Sequence, residues 1–110
     1  MSSTAENAVA QVTRVRIGVA THVTPKFSLV GNDALQDLVL VVDECVESGE
    51  FKIILDFGSV QTIDSLALSW VMDLQDRLIK MGGWVKISGH NSIIAEIAEV
   101  TGISDYIAFL

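Results

Sequence analysis

The chain has 110 residues and a net charge of −7, from fourteen acidic and seven basic residues. Nucleic-acid binding and attachment to anionic membranes both need many Lys and Arg, so this charge disfavours both. Half of the residues are hydrophobic, which is enough for the core of one domain. No apolar run approaches ~18 residues and no secretory signal is present, so we expect a cytoplasmic protein without membrane insertion.

The N-terminal part predicts a tail followed by extended chain. Residues 1–8 are small and polar and predict a flexible tail, so we expect the folded domain to cover residues 9–110. The imperfect alternation over 9–23 fits two short strands or one bent strand. Pro25 should end this segment, because proline lacks a backbone donor.

A first helix is predicted in the segment that follows. Asn32 or Asp33 could cap it by accepting hydrogen bonds from free backbone N–H groups. The apolar run at 38–42 would also suit a buried strand, but apolar residues keep a helical spacing as far as Ser48. Gly49 then supplies a stop, so we favour the helix.

The second half of the chain alternates short apolar runs with segments of helical spacing. It first predicts a central buried strand at Phe51–Asp56 and a helix from Ser65 to Met81. A strand at Trp84–Ser88 and a helix capped by Asn91 or Ser92 and ending at Thr101 follow. The last element is an edge strand or final turn at Tyr106–Leu110. Such alternation is typical of a small α/β domain with right-handed crossovers. Sites in these domains form in the loops after the strands, here 57–65 and 89–92.

The loop before the second helix carries the most informative polar residues. Asp64 and Ser65 open this helix, whose first turn presents unpaired N–H groups and a partial positive charge. A phosphate placed there would gain those donors, and a serine hydroxyl there would be within reach of a kinase. The simpler alternative is that Asp64 or Ser65 only caps the helix.

From Ile53 to Ile107 the chain resembles a STAS domain of the anti-sigma factor antagonist family. The resemblance rests on three motifs: Ile54-Leu-Asp-Phe57, Val60-x-x-Ile-Asp-Ser-x-Ala-Leu68 and Ala98-Glu-Val-Thr-Gly-Ile103. It implies a small single-domain STAS-like α/β fold, with a mixed central sheet and helices packed against it. The family's C-terminal helix should be short or absent here.

The resemblance also implies a function as a binding switch. In this family the unphosphorylated domain binds a serine kinase that is also an anti-sigma factor, and a sigma factor is released. Phosphorylation of the residue that matches Ser65 breaks the complex, and a serine phosphatase resets it. No enzymatic activity and no cofactor are implied. Rival roles are a STAS subunit bracing the ATPase of an ABC-type lipid transporter and a scaffold subunit of a stress-signalling assembly; a homodimer is a further option.

The second helix carries apolar residues away from its core stripe. Leu68, Met72 and Ile79 either flank a wide core or belong to a partner-binding face that continues from Ser65. The residues that we predict to contact the partner are Asp64, Leu66, Leu68, Ser69, Met72 and Asp73.

The remaining reactive side chains indicate no catalytic or metal site. Cys45 lies near the apolar side of the first helix and is expected to be a small core residue. His22 and His90 lack the spacing of metal ligands. Asp56 ends a strand as in receiver domains, but the acidic pair that would bind magnesium is missing after Ile17.

Overall fold

The structure, a computed structural model, describes residues 11–110. It contains β1 (Val12–Ile17), β2 (Ala20–Pro25), α1 (Asn32–Glu47), β3 (Lys52–Asp56), α2 (Ser65–Lys80), β4 (Trp84–Ser88), α3 (Ser92–Thr101) and β5 (Ala108–Phe109). A short 3-10 helix at Ile103–Asp105 joins α3 to β5. The predicted tail at 1–8 and the first residues of the predicted strand segment lie outside the described residues.

The five strands form one mixed sheet in the order β1-β2-β3-β4-β5. β1 is antiparallel to β2, and every other neighbouring pair is parallel. The three crossovers all step in the same direction across the sheet, so right-handed connections place α1, α2 and α3 on the same face. The predicted α/β architecture is confirmed.

Burial alternates along the central strands. Ile53 and Leu55 of β3 and Ile87 of β4 are buried against the helices, whereas Lys52 and Ile54 point to the other side and stay partly exposed. β3 is central, as its apolar run predicts, but only one of its faces is fully buried. This differs from the usual parallel sheet, which helices cover on both faces.

The N-terminal strands form a hairpin, which decides between the two sequence-based alternatives. Gly18 adopts a φ of 64° in the turn, a conformation that glycine reaches without steric cost. Pro25 is the last residue of β2 and pairs with Val12. At the other edge, Phe109 of β5 pairs with Ile87, which confirms the predicted edge strand.

The start of α1 differs from the sequence-based prediction. Its N-cap is Gly31, with φ at 88°, and neither Asn32 nor Asp33 caps it. Both of those residues already lie inside the helix. The Gly31 N–H donates instead to the side chain of Asp64, a contact between residues 33 positions apart that local pattern cannot reveal.

A buried glutamine attaches α2 to the sheet. Gln75 Oε1 accepts a hydrogen bond from the Val85 N–H at 2.8 Å, and Gln75 Nε2 donates to the Tyr106 carbonyl at 3.2 Å. Because both polar ends of this side chain are satisfied, a glutamine can occupy the core side of the helix. These bonds fix α2 relative to β4 and to the segment before β5.

Candidate functional site

The candidate site lies where the N-termini of α1 and α2 meet. Asp64 is the N-cap of α2, and its Oδ1 accepts a hydrogen bond from the Ala67 N–H at 3.0 Å. Its Oδ2 accepts from the Gly31 N–H at 2.8 Å. One carboxylate therefore satisfies free donors of two helices, which confirms the predicted capping role and adds a second partner to it.

Backbone hydrogen bonds hold the same two segments together. Leu29 and Ile63 form a parallel bridge. The Leu29 N–H donates to the Thr62 carbonyl at 3.1 Å, and the Asp64 N–H donates to the Leu29 carbonyl at 3.0 Å. The position of the first turn of α2 is thus set by the chain that enters α1 as well as by its own loop.

The hydrogen bonds to Asp64 also fix its charge. The bond from the Gly31 N–H, followed by the bond from the Ala67 N–H, lowers the pKa of the Asp64 carboxyl below its ordinary value. Both bonds favour the ionised form, so Asp64 is a carboxylate at neutral pH. A fixed negative charge therefore lies next to Ser65 in the sequence.

The loop between β3 and α2 is anchored on its other side by α3. Asn91 Nδ2 donates to the Gln61 carbonyl at 2.9 Å, while Asn91 Oδ1 caps α3 by accepting from the Ile94 N–H at 2.9 Å. The Gln61 N–H in turn donates to Ser28 Oγ at 3.3 Å. Of the two predicted caps for this helix, Asn91 is confirmed. The loop before Ser65 is therefore hydrogen-bonded to Asn91 at the start of α3 and to Ser28 in the segment before α1.

Ser65 is the first residue of α2, and its side chain is exposed. Within residues 11–110 its hydroxyl makes no hydrogen bond, so the oxygen is accessible to a partner. At 100° per residue, Ser69 and Met72 lie within about 40° of Ser65 around the helix axis. The further exposed residues on this side of α2 are Leu66, Asp73, Asp76, Ile79 and Lys80.

The sequence profile of the STAS domain family matches residues 29–110. The chain belongs to the STAS domain family. The match begins at Leu29, so it includes both segments that Asp64 joins, and it ends at Leu110. No curated protein matches the chain.

Solved structures share the fold at low sequence identity. The crystal structure of a proposed anti-sigma factor antagonist from Thermotoga maritima superposes with a TM-score of 0.81 and 19% identity, covering 94% of this chain and 88% of that one. An NMR structure of the same protein gives 0.76 and 20%, covering 88% and 78%. The murine anion transporter Slc26a9 gives 0.59 and 16%, covering 86% of this chain but 16% of the transporter.

The STAS domain presents the predicted partner residues unequally. Leu66 and Met72 are 54% and 42% exposed, and Ser69 and Asp73 are exposed too. Leu68 is partly buried and packs against the core, so it offers less of its side chain than the other members of the set. The predicted set is therefore a mainly exposed face of α2 with Leu68 at its border.

Cys45 and His90 lie outside this site and pack within the STAS domain. Cys45 is fully buried, as predicted, and burial raises the pKa of its thiol, so the thiol is protonated at neutral pH. His90 packs edge-on against Phe109 with ring centroids 5.0 Å apart. Residues 11–110 contain no group of three metal-ligating side chains. No helix in this range is long and apolar enough to cross a bilayer.

Sequence reasoning missed the two residues that position the site from a distance. Gly31 donates to Asp64 from the start of another helix, and Gln75 attaches the middle of α2 to β4. A glycine just before the helical spacing of α1 was the available signal for the first. A polar residue on the apolar side of α2 was the signal for the second.

Proposed function

We propose that this STAS domain is an anti-sigma factor antagonist of the bacterial cytoplasm. In its unphosphorylated form it binds a serine kinase that is also an anti-sigma factor, and a sigma factor is thereby released. Phosphorylation of Ser65 ends the complex, and a serine phosphatase restores binding. The observation that carries the proposal is the exposed hydroxyl of Ser65 at the start of α2, directly after the ionised Asp64.

The geometry supports Ser65 as the phosphoacceptor. A hydrogen bond between Asp64 and Ala67 fixes the backbone turn that contains Ser65. The Ser65 side chain itself remains exposed. A kinase can therefore reach the hydroxyl without opening the core. The first turn of α2 tolerates a new anion, since helix N-termini favour negative charge.

The surface around Ser65 supports a role in binding a protein partner. Leu66 and Met72 place two large apolar side chains in solvent on α2, and Ile79 adds a third near its end. Asp73 and Asp76 add acidic groups to the same side, with the basic Lys80 in the last turn of the helix. This mixture of apolar and acidic groups suits a kinase surface that offers apolar pockets and basic side chains. A phosphate added within it would bring further charge of about −1.5 to −2.

Affinity purification of the full-length chain from its native cells tests this proposal. An ATPase related to histidine kinases should copurify with the wild type and with Ser65→Ala, and that kinase with ATP should phosphorylate the wild type at Ser65. Ser69→Ala is the matched control, because Ser69 is exposed on the same side of α2 and should leave phosphorylation unchanged. Recovery of phosphate at Ser69 or Thr62, with Ser65→Ala fully modified, would contradict the assignment.

A second candidate function is a STAS subunit that braces the ATPase of an ABC-type lipid transporter. It is favoured by Leu66 and Ala67, which stand where the antagonist family usually has serine and glycine. The same purification separates the candidates. A transporter ATPase as the main partner would favour this one, and a large assembly of homologous STAS proteins would favour a signalling scaffold.

A further inference from the structure

The face of the sheet opposite the helices combines apolar and basic side chains. We call it the open sheet face and define it by Val15, Ile17, His22, Lys52, Ile54, Trp84 and Lys86. Strand register aligns Val15, His22, Ile54 and Lys86 in one row across β1 to β4. Val15 and Ile17 are 56% and 61% exposed. Lys86 Nζ lies 4.2 Å from the centre of the Trp84 ring.

Charge is separated between the two layers of the domain. The three α-helices carry nine acidic and two basic residues, whereas the open sheet face carries Lys52 and Lys86 with Asp56 as its acidic residue. Arg14 and Arg16 of β1 lie on the helix side, where Arg14 is 3.9 Å from Glu50. The open sheet face therefore bears a small net positive charge, although the net charge of the chain is −7. Such a distribution favours partners that present acidic groups to the sheet.

The outer side of α3 has the complementary chemistry. Ile93, Ile97 and Val100 follow an i, i+4, i+7 spacing and form an apolar stripe, which we call the α3 stripe. Ile93 is 55% exposed and Val100 is 81% exposed. Glu96 and Glu99 flank the stripe, and α3 contains no basic residue.

We propose that the open sheet face of one copy binds the α3 stripe of a second copy. The apolar groups of each surface would cover those of the other, with Glu96 and Glu99 beside Lys52 and Lys86. Two sheet faces packed together would oppose lysines to lysines, and two α3 stripes would oppose glutamates to glutamates. The contact therefore joins two different surfaces and is heterologous. A dimer formed in this way keeps a free open sheet face on one copy and a free α3 stripe on the other.

This self-association goes beyond the proposed antagonist function. Neither surface contains Ser65, Leu66 or Met72, so the experiments on kinase binding and on assembly test different residues. A contact formed by one helix on one sheet face falls at the small end of protein interfaces. We therefore expect assembly over a range of about 10 µM to 1 mM rather than in the nanomolar range.

Sedimentation velocity over that concentration range tests the proposal. The wild-type chain should pass from monomer to dimer and to longer species as its concentration rises. Val15→Glu on the open sheet face and Val100→Lys on the α3 stripe should each raise the concentration needed by at least about tenfold. Leu40→Glu, a change at a residue 61% exposed on α1, is the matched control and should behave as the wild type.

Mixing the two variants gives the sharper test. Val15→Glu keeps an intact α3 stripe and Val100→Lys keeps an intact open sheet face, so an equimolar mixture should form a 1:1 dimer that cannot extend. Circular dichroism melting confirms that each variant is folded, and Lys86→Glu with Ile93→Lys serves as a second pair. A wild type that stays monomeric throughout overturns the proposal, as does a Val100→Lys variant that dimerises alone.

Discussion

The carboxylate of Asp64 accepts a hydrogen bond from the backbone N–H of Gly31 at 2.8 Å, although the two residues lie 33 positions apart. Its other oxygen accepts from the Ala67 N–H, so the residue before Ser65 joins the starts of α1 and α2. The same side chain that places a negative charge beside the proposed phosphoacceptor thus also holds the local structure. Replacing Asp64 affects stability and charge together, and the two effects need to be measured apart.

Asp64→Asn removes the charge, and because only its single amide oxygen can accept, it also removes one of the two hydrogen bonds that Asp64 receives. The pH dependence of its effect therefore isolates the contribution of the charge. The folded-state pKa of Asp64 lies below its unfolded value, so the charge stabilises the fold above about pH 3.9 and this contribution is lost as the pH falls through the folded pKa. We expect the wild type to melt higher than Asp64→Asn at pH 7, with a difference that shrinks in acid. Thermal melts between neutral and acid pH measure this, and a constant difference would contradict it.

Gln75→Met is expected to destabilise the domain by about 1–3 kcal/mol, because it leaves the buried Val85 N–H without an acceptor. Methionine is close to glutamine in length, so loss of packing contributes little. Urea denaturation gives the free energy of unfolding. Asp76→Asn, at the next residue and exposed, should change it by less than about 0.5 kcal/mol. Equal effects of both substitutions would show that the Gln75 hydrogen bonds are not structurally important.

Gly83→Ala should destabilise the start of β4. An added Cβ would lie 2.6 Å from the carbonyl carbon of Phe51 and 2.7 Å from its Cβ, so the backbone must shift, at a cost of roughly 1–3 kcal/mol or more. Gly82→Asn is the control, since Gly82 has a φ of 82° with open space around it and asparagine tolerates that conformation. A smaller loss for Gly83→Ala than for Gly82→Asn in urea denaturation would contradict this prediction.

Local pattern was enough to predict most elements of this fold. Hydrophobic spacing identified the three helices, and short polar side chains such as Asp64 and Asn91 marked the starts of α2 and α3, because a cap is formed within three residues. The Gly31–Asp64 bond and the Gln75 contacts were not predictable, since they depend on how distant segments pack. The open sheet face was missed because apolar runs such as that of β3 do not show which faces are covered.

Met72→Asp should weaken binding of the kinase partner by at least about tenfold while leaving the fold intact. Met72 is 42% exposed on the side of α2 that carries Ser65, and a carboxylate there would be desolvated at the interface. Titration calorimetry gives the affinity and a thermal melt checks the fold. Leu40→Asp on α1 is the matched control and should bind normally. A collapse of the melting temperature for Met72→Asp would show that Met72 contributes to the core.

Ser65→Asp should weaken the kinase complex, whereas Ser65→Ala should preserve it. The new carboxylate would lie at the exposed start of α2, where the helix favours an anion by about 0.3–1 kcal/mol, so the fold should tolerate it. The complex should not, because contact with the partner would remove water from two adjacent anions, Asp64 and the new carboxylate. Since aspartate carries less charge than a phosphate, the loss measured by titration calorimetry should be partial for Ser65→Asp and larger for the phosphorylated protein. Wild-type affinity in both of these forms would exclude release by phosphorylation, and the transporter subunit or the scaffold would then be the better interpretation.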